Sequence, residues 1–218
     1  MTRKAVALKH LKHADPQLYA YTLSHHTSLP LQLCAKRTRA QLFESLVSTI
    51  ISQQLGLAAA DAIFARVKKT CGGRLTPKSI LKVKLTTFRD AGLSGAKIKT
   101  LKEIATVVEH NSLDLLSLKK IPEAEAAGKL MQIWGIGPWT VEMFMMFALG
   151  RGDVFSPGDL GLIRAMEAIY GLPKGSSRES LLAIAEKWSP HRTYASLLLW
   201  RTRDTKEGRD TRSEARLV

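Results

Sequence analysis

LMQIWGIGPWTVEMFMMFALGRGDVFSPGDL, residues 130–160, decides the reading of the chain. Gly135-Ile136-Gly137 is a minimal glycine turn between two stretches of helical character. Glycines there permit positive φ and let another backbone come close. Pro138 suits the first position of the following helix, where a missing N–H costs nothing. The unpaired N–H groups and positive end of that helix then offer an anion site. A phosphate held this way carries no sequence information, so the contact places the protein without choosing a base. The plainer reading of the same turn is a glycine-capped helix–turn–helix.

About twenty residues on, Ser156-Pro157-Gly158 makes a turn and Asp159 follows it. Locally Asp159 reads as the N-cap of a helix over 160–170. A carboxylate fixed at that point also suits chemistry that needs one acid. Breaking an N-glycosidic bond builds positive charge on the sugar, which a nearby anion stabilises. The same group can orient or deprotonate the water that replaces the base. The two readings are compatible, since a capping aspartate is rigidly placed.

Working outward, 218 residues allow one compact domain or two small lobes with a real core. Lys and Arg outnumber Asp and Glu by 33 to 19, a net charge of +14 that favours a polyanionic partner such as nucleic acid. Cys34 and Cys71 are the two cysteines, too few for a disulfide framework, a four-cysteine zinc site or an iron–sulfur cluster. The histidines at 10, 13, 25, 26, 110 and 191 lack carboxylates at ligand spacing, and His25-His26 reads as a helix-end or surface pair. No metal is expected. No secretory signal is read, and the longest uncharged apolar run, Met143–Leu149, is too short to span a bilayer. An intracellular protein, cytoplasmic beside the nucleoid or else nuclear, is expected.

Helical periodicity dominates and period-2 strands are missing. Leu42, Phe43, Leu46, Val47, Ile50 and Ile51 share one face, as do Ile98, Leu101, Ile104, Ala105 and Val108. Leu181, Leu182, Ile184, Ala185 and Trp188 are followed by Tyr194, Leu197, Leu198 and Trp200. Glycine- and proline-bearing turns separate these runs, giving about ten helices, one of them over 123–132. The expected fold is all-α. The polar stretch 204–218 reads as a frayed tail.

Residues 133–164 together with AEKWSPHRTYASLLLW, Ala185 to Trp200, resemble the alkylation-repair 3-methyladenine DNA glycosylase II family, within the helix-hairpin-helix, Gly/Pro-Asp superfamily. The resemblance covers most of 36–203. It implies two helical lobes, 36–146 and 1–35 with 147–218, facing a shared cleft. The β-rich N-terminal domain of larger bacterial members does not fit into the residues before 36. The family's catalytic aspartate falls on Asp159. Its phosphate-binding hairpin falls on Gly135, Gly137, Pro138 and Thr140, with a second loop at Ser94 and Lys97 that reads equally as a solvated turn. Its aromatic base pocket falls in part on Trp139 and Trp200, while Met143 stands where tyrosine is frequent.

The wedge that fills the gap left by a flipped base falls on Leu55, with Gln54 the alternative; read from sequence alone, Leu55 is equally a core residue. Trp134 and Trp188 read as core. His191 and Arg192 fall where the family carries a basic residue near the cleft. Bifunctional relatives carry a lysine where this chain has Trp139, so strand cutting through a Schiff base is not expected. The resemblance implies a monomer acting on double-stranded DNA with alkylated bases, without cofactor. The rivals are a glycosylase for other damaged or mismatched bases and a hairpin protein that binds DNA without catalysis.

Overall fold

A computed structural model describes residues 2–24 and 37–206. His25, His26, Cys34 and positions 207–218 lie outside the described residues. Among the described residues the regular structure is entirely helical. The chain divides into two compact units, Met1–Cys34 with Gly150–Val218, and Ala35–Leu149.

The first unit holds α1 (Arg3–Ala14) and α2 (Pro16–Ser24). The second holds seven helices: α3 (Arg39–Ser52), α4 (Leu57–Thr70), α5 (Pro77–Lys82), α6 (Leu85–Asp90), α7 (Gly95–Glu109), α8 (Glu123–Met131) and α9 (Pro138–Phe147). A 3-10 turn at Ser117–Lys119 precedes α8. The chain then returns to the first unit as α10 (Leu160–Tyr170), α11 (Arg178–Glu186) and α12 (Arg192–Lys206). The twelve α-helices among the described residues exceed the expected number because α5 and α6, six residues each, are too brief to show a period. The helix expected over 123–132 ends at Met131. Asp204–Lys206, expected to fray, continue α12.

In the second unit α3 is the central strut, packing on α4, α7 and α9. The six apolar residues read on its face are all buried, and so are the five on α7. A capping box starts α3: Thr38 accepts from the Gln41 amide, and Gln41 Oε1 accepts from the Thr38 amide at 2.8 Å. α9 is apolar nearly all round, as an interior helix must be, and Val141, Met143, Phe144, Met145 and Met146 are buried. Burial of each such side chain stabilises the fold by about 1.5–3 kcal/mol before the entropy cost of ordering it.

The first unit is organised around a buried carboxylate. Asp15 caps α2 by accepting from the Leu18 amide at 3.0 Å. Its other oxygen accepts from Tyr170 Oη at 2.6 Å and Trp188 Nε1 at 2.8 Å. A charge left unpaired at this depth would be costly, and the three donors offset that cost. Trp188 is fully buried, as read. Leu182, grouped with the core face, is 38% exposed because the buried face of α11 runs through Leu181 and Ala185. No helix among the described residues is long and apolar enough to cross a membrane.

Candidate active site

The hairpin joins α8 to α9. Ile133 and Ile136 are buried and anchor the turn from below. Gly135 has φ +81°, and a Cβ there would stand 2.1 Å from Thr100 Oγ1 on α7. Backbone conformation and packing both demand glycine. Gly137 is the N-cap of α9, with no side-chain cap and no heavy atom within 4 Å of where a Cβ would be. Nothing among the described residues requires glycine there, so the open side of Gly137 leaves room for something external beside the positive end of α9. Pro138 occupies the first turn of α9. Thr140 is buried, and its Oγ1 accepts from Gln53 Nε2 at 2.8 Å. The Thr140 hydroxyl is thus turned inward.

Ser94 and Lys97, expected at a phosphate, have internal partners. Ser94 Oγ caps α7 by accepting from the Lys97 amide at 3.3 Å. Lys97 Nζ donates to the carbonyl oxygens of Ile51 and Gln53, each at 2.7 Å. A cation on the last carbonyls of α3 offsets the negative end of that helix. Burial lowers the Lys97 pKa below the ordinary lysine value. Beyond α3, Gln54 adopts φ +56°, rare for a residue with a Cβ. Leu55 follows at 37% exposure, which excludes it from the core.

Trp134, read as core, is 45% exposed. Its backbone N–H donates to Glu103 Oε1 at 3.0 Å, holding the residue at the hairpin surface. Lys99 Nζ stands 4.1 Å from the centroid of its ring, a cation–π contact.

In the other unit the turn before α10 is sunk into the protein, with Val154, Phe155, Ser156 and Pro157 buried. Asp159 emerges from it as the N-cap, Oδ1 accepting from the Leu162 amide at 2.9 Å. The same oxygen accepts from Trp200 Nε1 at 2.9 Å. Gly161 makes room for this arrangement. A Cβ on it would lie 2.9 Å from Asp159 Oδ1 and 3.1 Å from the Trp200 ring. Asp159 is thus a cap and an oriented carboxylate together, half-buried rather than sealed in the core.

Arg192 is engaged by Asp153, through Nε to Oδ1 at 2.9 Å and a terminal nitrogen to Oδ2 at 3.0 Å. Burial raises the Asp153 pKa, but hydrogen bonds from Arg192 and Ser189 overbalance it and hold the carboxyl below its ordinary value. His191 lies with its ring centroid 5.2 Å from that of His10. Desolvation, then the His10 charge, lowers its pKa. Among the described residues no group of three His, Cys, Asp or Glu could hold a metal ion.

The structure joins Asp159 to Trp200 within one unit, and Gly135, Thr140 and Lys97 to the end of α3 within the other. Trp139 is half-buried and Met143 buried, both on α9. Sequence reading missed Gln53, Thr100 and Gly161. The Gln53-Gln54 pair carries no mark of which amide turns inward, and Thr100 looks like one more α7 residue. Gly161 did leave a signal, since a glycine in the first turn of a helix costs propensity unless something packs against it.

A family model for HhH-GPD superfamily base excision DNA repair proteins matches residues 47–191. DNA-3-methyladenine glycosylase 1 of Schizosaccharomyces pombe is 35% identical over 163 residues, 73% of this chain and 72% of that protein. The crystal structure of a DNA-3-methyladenine glycosidase from Bacillus halodurans superposes with a TM-score of 0.75 at 34% identity, over 99% of this chain and 95% of that one. The S. pombe 3-methyladenine DNA glycosylase Mag1 in complex with abasic DNA gives 0.77 at 30% identity, over 89% and 95%.

Proposed function

This chain belongs to the HhH-GPD superfamily of base excision DNA repair proteins, and from that premise we propose that it is a monofunctional DNA-3-methyladenine glycosylase of type II. Its substrate is double-stranded DNA carrying alkylated bases of the 3-methyladenine and 7-methylguanine kind, which it flips and excises as a monomer. The names of the relatives at 30–35% identity support the alkylated-base assignment.

The observation that carries the reading is the Asp159 carboxylate, oriented through Oδ1 by the Leu162 amide and the Trp200 indole. As the bond between C1′ and the base breaks, its electron pair leaves with the base and the sugar becomes cationic. A fixed anion beside that sugar lowers the barrier. A water oxygen then bonds to C1′ while Asp159 takes its proton. Asp159 is the catalytic residue and Trp200 positions it. The indole face of Trp200 is also the surface we assign to the electron-poor, often cationic base. Gly137 and the first turn of α9 take a phosphate, and Leu55 fills the gap in the stack. Trp139 has no amine with which to form a Schiff base, so the phosphodiester strand stays intact.

The test is a panel of duplexes, each with one alkylated, oxidised or mismatched base, scored for free base, abasic sites and borohydride-trapped adduct. The expected result is free base and abasic sites from alkylated duplexes, without strand cleavage or adduct. Release confined to oxidised or mismatched bases, or a covalent adduct, contradicts the assignment.

A further inference from the structure

Gln53 ends α3 half-buried, and its carboxamide reaches the hairpin. Nε2 donates to the Gly135 carbonyl at 3.1 Å and to Thr140 Oγ1 at 2.8 Å, so one amide grips the glycine turn and the first turn of α9 together. The Gln53 backbone carbonyl accepts from Lys97 at 2.7 Å. One residue on, Gln54 takes its left-handed backbone, and the Leu55 amide turns back to the Ser52 carbonyl at 3.2 Å. The exposed Leu55 is thus tied to the hairpin through two residues of chain and one side chain.

α7 supports both ends of this tie. Lys97, Thr100 and Glu103 are three apart and share a face. Lys97 holds the end of α3, Thr100 lies under Gly135, and Glu103 accepts from the Trp134 amide.

We propose that Gln53 is a positioning residue that locks the Gln54–Leu55 loop to the hairpin, so that phosphate grip and side-chain insertion act in one register. The proposal rests on the base-flipping reading above and deepens it. A phosphate held at α9 fixes the hairpin on the DNA backbone, and the carboxamide passes that fixed position to the loop. Without it each element still makes its own contact, but the two no longer reach their places on the duplex together. The cost falls on extruding a paired base, the step that needs a wedge against an intact stack.

The test uses Gln53→Met and Gln53→Glu, both of about the same size and both without the amide N–H groups, with melting temperatures measured alongside. Single-turnover excision of an alkylated base from a fully paired duplex should slow about tenfold or more, and from a bulge or single strand about twofold or less. Affinity of Gln53→Met for undamaged duplex should change little, since the phosphate contact stays. Adding Gln53→Met to Leu55→Ala should slow the paired substrate no further, because the register of an absent wedge is immaterial. Equal slowing on paired and unpaired lesions, or effects of the two substitutions that multiply, would overturn the proposal and leave Gln53 a general structural residue. A 2-aminopurine placed beside the lesion separates this outcome from failure of the glycosylase reading. If the wild type unstacks the probe and releases no base, the reading fails. The Gln53 proposal is then still decided by whether the variants lower that fluorescence change.

Discussion

Gly161 lies against Asp159 and its indole partner, and a methyl group there would crowd both, at 2.9 Å from Asp159 Oδ1 and 3.1 Å from the Trp200 ring. Alanine there has the better helix propensity, by up to about 1 kcal/mol, so a gain in local stability opposes the crowding. Gly161→Ala should keep a melting temperature close to wild type while single-turnover excision falls about tenfold or more, as Oδ1 and the indole are pushed off their 2.9 Å contact. A wild-type rate would mean that the Trp200 hydrogen bond does not matter to the acid. Residue-level reading from sequence was uneven for a physical reason. Asp159 as a helix cap was legible through the turn before it, whereas the internal partners of Lys97 were not and Trp134 was misjudged as core. A lysine's partner on a carbonyl 46 residues away leaves no local pattern. Trp134 matched helical spacing yet sits on the hairpin surface under Lys99.

Among the elements, the faces of α3 and α7 were legible because period 3.6 records which side is buried, and every residue read on them is buried. The hairpin was legible through its glycines, though for unequal reasons. Gly135 answers to Thr100 beneath it, while Gly137 answers to nothing among the described residues. The two therefore separate in a binding experiment. Gly137→Ala should fold as the wild type does, with reduced affinity for damaged and undamaged duplex alike, because phosphate contacts ignore the base. Gly135→Ala should lower the melting temperature, through its φ and the clash with α7. Unchanged affinity of Gly137→Ala for both duplexes would remove the hairpin as phosphate anchor. The link from α3 to the hairpin was illegible, since it runs through one amide of a repeated pair.

For the whole molecule, the net charge of +14 argues for a polyanion, and the family match gives that charge its context. The logarithm of affinity for undamaged duplex should fall linearly with the logarithm of salt concentration. Acid should weaken the unit that carries Asp159 through two groups. His191 is held below its ordinary value of 6.5, by desolvation first and then by His10, with Asp153 opposing and Tyr194 packed on its ring. The unfolded chain therefore binds the proton more readily, and stability is lost as pH falls below 6.5. Asp153 is held below 3.8, so the stability it adds with Arg192 persists until pH drops through the acid carboxylate range. His191→Gln should flatten the first of these slopes in melting temperature against pH and leave the second.

The central claim is that Asp159 performs the excision as well as capping α10. Asp159→Asn keeps the shape and an oxygen to accept from the Leu162 amide and the Trp200 indole, and removes only the charge. Single-turnover release of 3-methyladenine from duplex DNA, measured beside affinity for the same duplex, separates the two roles. We expect the rate to drop by about a hundredfold or more with affinity and melting temperature retained. An asparagine variant that releases base at the wild-type rate contradicts the account.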